Sequence, residues 1–131
     1  MNIRKKLLPP NGPQPVSYYS HGIRVGPVLY TAGQTSRDVT NMLVGADDPG
    51  QQAQQAFKNL LLVLAEGGMD VSNVVRLSIL VRRITDIKIV LEVKEKIFNP
   101  YLPTMTIART KGLAYPEYLL EVDAIAVKHS E

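Results

Sequence analysis

PTMTIARTKGLA at residues 103–114 and EYLLEVDAIAV at residues 117–127 decide how this chain folds. Both hold β-prone runs, and Lys111, Gly112 and Pro116 form the loop between them. The spacing predicts a hairpin, or a near neighbour of one, in this part of the chain. Side chains two apart on a strand point the same way. Glu121 and Asp123 therefore share one face of the second run, and Met105, Ile107 and Arg109 share one face of the first. These two faces are expected to decide what the protein does with a ligand.

Working outward, residues 74–81 alternate as a strand, with Val75, Leu77, Ile79 and Val81 on one side and Arg76, Ser78 and Arg82 on the other. Between this strand and residue 103, Thr85 or Asp86 caps a helix whose apolar stripe is Ile87, Val90, Leu91 and Ile97 or Phe98. Asn99-Pro100 ends it. Further upstream, Asp48 and Pro49 are an N-cap and a first helical residue. Ala53, Ala56, Phe57, Leu60, Leu61 and Leu64 then recur at helical spacing until Gly67-Gly68. Residues 17–25 and 28–32 read as strands around the Gly26-Pro27 turn, and residues 35–48 as a polar loop. Residues 1–14 read as an N-terminal arm, leaving one domain over residues 15–131. The order β-β-α-β-α-β-β gives an α+β fold with one sheet and two helices on one face. The uncovered sheet face predicts self-association.

Composition narrows the function. With no cysteine and only His21 and His129, disulfides, thiol nucleophiles, zinc–thiolate sites and a His-based metal site are not expected. The longest apolar run, residues 60–65, falls far short of the roughly 20 residues that span a bilayer. Pro9 and Pro10 stop the apolar run after Arg4, Lys5 and Lys6, so no signal-peptide core forms, and a cytoplasmic location is expected. The net charge of +3 comes from scattered Lys and Arg without a basic stripe or aromatic platform, which argues against a nucleic-acid partner. There is no Gly-rich phosphate loop and no Gly-x-Ser-x-Gly elbow.

Several pieces in order resemble the Rid family, also called YjgF/YER057c/UK114. They are Tyr19, the run TAGQ at residues 31–34, PGQQA at 49–53, AEGG at 65–68, the strand at 74–81, Pro103, and EVDAIAV at 121–127. The resemblance covers residues 15–128. It implies a chorismate-mutase-like fold, a homotrimer with clefts between subunits, and cofactor-free, metal-free hydrolysis of enamines or imines. Active members clamp the substrate carboxylate with an arginine two residues after the proline. Here that position is Met105, and a thioether cannot replace two charged donors. Leu91 stands where the family often has Asn, Ile107 where it often has Cys, and Ala32 where it often has Ser.

The resemblance makes Glu121 the candidate catalytic carboxylate. Tyr19, Ala32, Gly33, Gln34, Leu91, Met105, Ile107 and Arg109 are the candidate ligand-binding residues. Asp123 reads as structural, Met105 as a packing residue and His21 as a surface or hydrogen-bonded histidine, with ligand contact the lesser alternative. The expected function is binding of a small metabolite in inter-subunit clefts, with arginine-dependent deamination lost or altered. The alternative is an imine deaminase with another anchor, such as Arg109. A regulatory partner protein is a third reading, and RNA cleavage ranks low without a His pair or basic groove.

Overall fold

The computed structural model describes residues 3–129. One mixed sheet carries β1 (Arg4–Leu7), β2 (Gly22–Val25), β3 (Val28–Thr31), β4 (Val74–Val81), β5 (Thr104–Arg109) and β6 (Leu120–Val127) in the order β1-β2-β3-β6-β4-β5. Helices α1 (Pro49–Glu66) and α2 (Ile87–Phe98) share one buried cluster with Leu77, Ile79, Val81, Leu120, Val122, Ala124 and Ala126 of the sheet. The α+β architecture is therefore as expected from the sequence, with one face covered and one open.

The helix signals act as read. Asp48 is extended and its carboxylate accepts from the Gln51 amide at 3.0 Å, with Pro49 following. At the other end Gly68 takes φ +74°, and the Gly68 and Met69 amides close onto the Ala65 and Leu64 carbonyls at 2.9 and 2.8 Å. Asp86 does stand at the start of α2, but its side chain caps nothing. It pairs instead with Arg83 at 2.8 Å.

Four strand details differ from the sequence reading. First, residues 103–114 and 117–127 do not form a hairpin. β5 and β6 flank β4 on opposite sides, β5 parallel to it and β6 antiparallel. Helix α2 supplies the crossover that a parallel β4–β5 pair needs. Second, a bulge shifts the β4–β6 register between Val74 and Arg76. Val74 is buried and Val75 is 39% exposed, which inverts the alternation at that end. Third, Arg4–Leu7 adds an edge strand ahead of the expected order, with Leu7 fully buried and Arg4, Lys5 and Lys6 exposed. Three cations along an open edge discourage further strand addition. Fourth, of residues 17–25 only Gly22–Val25 is a strand.

Alternation on β6 matters most for function. Leu120, Val122, Ala124 and Ala126 face the helices, so Glu121, Asp123, Ile125 and Val127 occupy the open face. The register pairs Met105 with Leu77 and Ile107 with Ile79, which puts both on the helix side. The two faces singled out in the sequence thus lie on opposite sides of the sheet.

Candidate functional site

The site grows from the junction of β3 and β6. Past β3, the chain bends so that Gln34 bridges Val122 through amide–carbonyl bonds of 2.7 and 3.0 Å in both directions. This docks Gly33 beneath the Glu121 carboxyl. A Cβ at Gly33 would meet Glu121 Cδ at 2.4 Å and Oε1 at 2.6 Å, so any side chain there would displace the carboxyl from this position. The Glu121 carboxylate accepts no hydrogen bond and joins no ion pair among the described residues. Burial, and secondarily the neighbouring Asp123, push its pKa above the ordinary value. Asp123 is also raised by burial, an effect that Arg76 opposes.

Glu121, Gly33, Gln34 and Tyr19 line one cavity of about 80 Å³, together with His21, Arg37, Tyr115 and Tyr118. His21 is buried, with Nε2 2.6 Å from the Pro13 carbonyl. That nitrogen therefore carries the proton, and Nδ1 accepts from the Gln34 amide at 3.2 Å. Desolvation lowers the His21 pKa, only partly offset by the bond to Pro13. A neutral, doubly bonded ring of this kind fixes the Gln34 side chain and is poorly suited to shuttle protons. The Tyr19 ring stands edge-on to it at 5.7 Å.

Of the candidate residues, Tyr19, Gly33, Gln34 and Glu121 come together, with the Ala32 backbone bonded between His21 and Gln34. Leu91, Met105, Ile107 and Arg109 lie elsewhere. Met105 and Ile107 are half-buried against the core, and Leu91 is half-buried on α2. Arg109 is exposed, its Nε 3.4 Å from the Arg82 carbonyl. Sequence reading missed Arg37, Tyr115 and Tyr118, which reach the cavity from loops and carry no local signature. A larger concavity of about 580 Å³ lies beside the end of α2, lined by Glu92, Lys96, Tyr101 and Leu102. It holds none of the candidate site residues. Among the described residues no His, Cys, Asp or Glu cluster could hold a metal ion, and no helix is long and apolar enough to cross a membrane.

The molecule is thus a small α+β protein with a carboxyl over a glycine at the open sheet face. The family described as Endoribonuclease L-PSP matches residues 10–128. The chain belongs to this family, the Rid or YjgF/UK114 family. A 2-iminobutanoate/2-iminopropanoate deaminase of Rattus norvegicus is 29% identical over 126 residues, covering 96% of this chain and 91% of that one. A putative endoribonuclease L-PSP from Entamoeba histolytica is 25% identical with a TM-score of 0.90, covering 95% and 99% of the two chains. The E. coli TdcF structure with bound serine, 22% identical, shares the fold with a TM-score of 0.89 over 95% and 99% of the chains.

Proposed function

We propose that this protein binds a small imine- or carbonyl-bearing metabolite beside Glu121 and hydrolyses imines there, with the usual β5 cation absent. The observation that carries this reading is the Glu121 carboxyl, unpaired and raised in pKa, lying over Gly33 in a cavity. Proton transfer by a carboxylate is most useful when its pKa approaches the working pH. Water would add to the carbon of the N-protonated imine while giving a proton to Glu121, which leaves a neutral aminoalcohol. Glu121 would return that proton to nitrogen, the C–N bond would break as the hydroxyl oxygen closes the C=O, and the hydroxyl proton would pass to the departing ammonia. The balance is iminium plus water to carbonyl plus ammonium. The deaminase names of relatives support the same reaction class.

Size supports a shared site. Drug-sized ligands occupy roughly 300–1,000 Å³, and about 80 Å³ holds only a few heavy atoms. The candidate residues also fall into two groups on opposite sheet faces, which one chain cannot join. A second copy, seated on the open face beside Tyr30, Ile125 and Val127, would bring its own Leu91, Met105 and Ile107 to this cavity. A closed ring of three copies fits the uncovered face. A binding-only protein is the second reading, favoured by Met105 in place of a cation.

The test uses 2-iminobutanoate generated in solution from 2-aminobutanoate by an amino-acid oxidase, with release of the oxo acid and ammonia followed against the spontaneous rate. Acceleration that falls about 100-fold or more in Glu121→Gln is expected, in line with loss of a general acid–base group. No acceleration by the wild type would overturn the hydrolase reading and leave the binding one.

A further inference from the structure

Arg37 stands in the loop between β3 and α1, and its side chain lines the Glu121 cavity. Nε donates to the Tyr118 hydroxyl and Nη1 to the Asn41 carbonyl at 3.0 Å. Its Cζ sits 4.9 Å from the Tyr115 ring centre and 5.4 Å from that of Tyr118. Every one of these partners is neutral. Among the described residues ion pairs involve only Arg83, so the Arg37 charge has no carboxylate within 4.0 Å. Nη2 makes no hydrogen bond there either. The Tyr118 hydroxyl, accepting from Nε, keeps its own O–H to give.

The loop that carries Arg37 is tied down. Gln55 and Asn59 amides donate to its carbonyl at 3.2 and 2.7 Å. The Asp38 carboxylate accepts from the Thr40 and Met42 amides at 2.9 and 3.1 Å. Two donors are therefore fixed in advance, which reduces the ordering loss on binding. A guanidinium fork suits a carboxylate better than any other common anion anchor.

We propose that Arg37, assisted by the Tyr118 hydroxyl, grips the carboxylate of a small oxo or imino acid, taking the place of the cation that Met105 cannot supply. The proposal rests on the reading of the cavity given above and names its ligand class. One cavity then holds both a cation for the acid group and a carboxyl for the reacting carbon.

The test is calorimetric titration of the full-length protein with 2-oxobutanoate and with its neutral amide, 2-oxobutanamide. Arg37→Met should weaken the oxo acid about 10-fold to 100-fold, the value of a charge-assisted hydrogen bond, and change the amide less than about 3-fold. Equal loss of both ligands, or an unchanged oxo acid, would overturn the proposal. An indifferent Arg37 with a wild type that still binds the oxo acid removes only Arg37 and leaves the cavity reading standing. A wild type that binds neither ligand removes the cavity reading and the proposal together. Should Arg37→Met fail to fold, Tyr118→Phe carries the test, since it keeps the ring and removes the O–H. A selective loss of about 2-fold to 10-fold for the oxo acid is then expected, and equal binding of both ligands overturns the proposal.

Discussion

Gly33→Ala separates the site from the scaffold. The new Cβ would lie 2.4 Å from Glu121 Cδ, whereas ordinary contact begins at 3.4 Å. The carboxyl must therefore retreat by about 1 Å, the difference of those two distances. The backbone at residue 33 does not take a positive φ, so alanine brings no main-chain strain. Glu121 ends in a half-exposed, unpaired carboxyl that is free to swing toward the opening. Relief of the clash and the lost freedom of glycine in the unfolded chain act in opposite directions, the latter stabilising by about 0.4–1 kcal/mol. Net stability should stay within about 1 kcal/mol, a melting shift of roughly 4 °C or less for a domain of this size. A reacting group displaced by about 1 Å, by contrast, loses on the order of 100-fold in rate. The assay pairs a thermal melt with oxo-acid release from 2-iminobutanoate. A Gly33→Ala protein that melts normally and turns over within about 3-fold of wild type would refute the placement of Glu121 in the reaction.

Two further outcomes follow from burial. Phe57 is fully buried and meets Phe98 edge-on at 5.9 Å between ring centres, so Phe57→Ala should lose about 3–5 kcal/mol in urea unfolding, and a loss below about 1 kcal/mol would contradict its central place. The folded Glu121 carboxyl holds its proton to higher pH than the unfolded one, whose ordinary value is 4.5. Its contribution to stability is thus full below about pH 4.5 and lost as pH rises through the raised folded value. The stability of the wild type relative to Glu121→Gln should fall across that window, and a flat or rising difference would refute the desolvated carboxyl.

What the sequence made legible were features with local physics. Asp48-Pro49 and Gly67-Gly68 bounded α1 because caps depend on neighbouring residues alone. The period-two pattern of residues 120–127 put Glu121 and Asp123 on one shared face for the same reason, and the structure makes that face the open one. Partner choice among strands is not local. Nothing in residues 103–114 says that β5 will pair in parallel with β4 and leave β6 on the far side, and nothing near Val75 announces a bulge. The Tyr19–Gly33–Gln34–Glu121 half of the candidate site was named through resemblance, and these residues do line one cavity. Arg37 was not, because its position is set by Asn59 and Gln55 of α1, some twenty residues away in sequence. Family placement also drew attention to β5 as one half of a pocket, whereas within one chain that half faces the helices.

Met105→Arg examines how the two halves meet. Met105 is half-buried against the core and sits on the last strand of the sheet. A longer Arg stem can lie along the same apolar surface and carry its head outward, so a stability loss below about 1.5 kcal/mol is expected from a near volume-conserving change. In a single chain the new guanidinium would stay on the helix face, away from Glu121, and would do nothing for an acid bound there. If a second copy completes the cavity with its own β5, the same guanidinium enters from across the boundary. Placed in the Arg37→Met background, it should then restore at least about 10-fold of the lost 2-oxobutanoate affinity, the low end for one charge-assisted bond. The restoration should vanish when dilution separates the copies, which sedimentation at the same concentrations would register. Rescue that persists in a monomer would mean that β5 reaches the cavity within one chain, against the observed register of Met105 with Leu77. No rescue in an intact oligomer would place the copies differently from the arrangement argued above and confine the ligand to the residues of the Glu121 cavity alone.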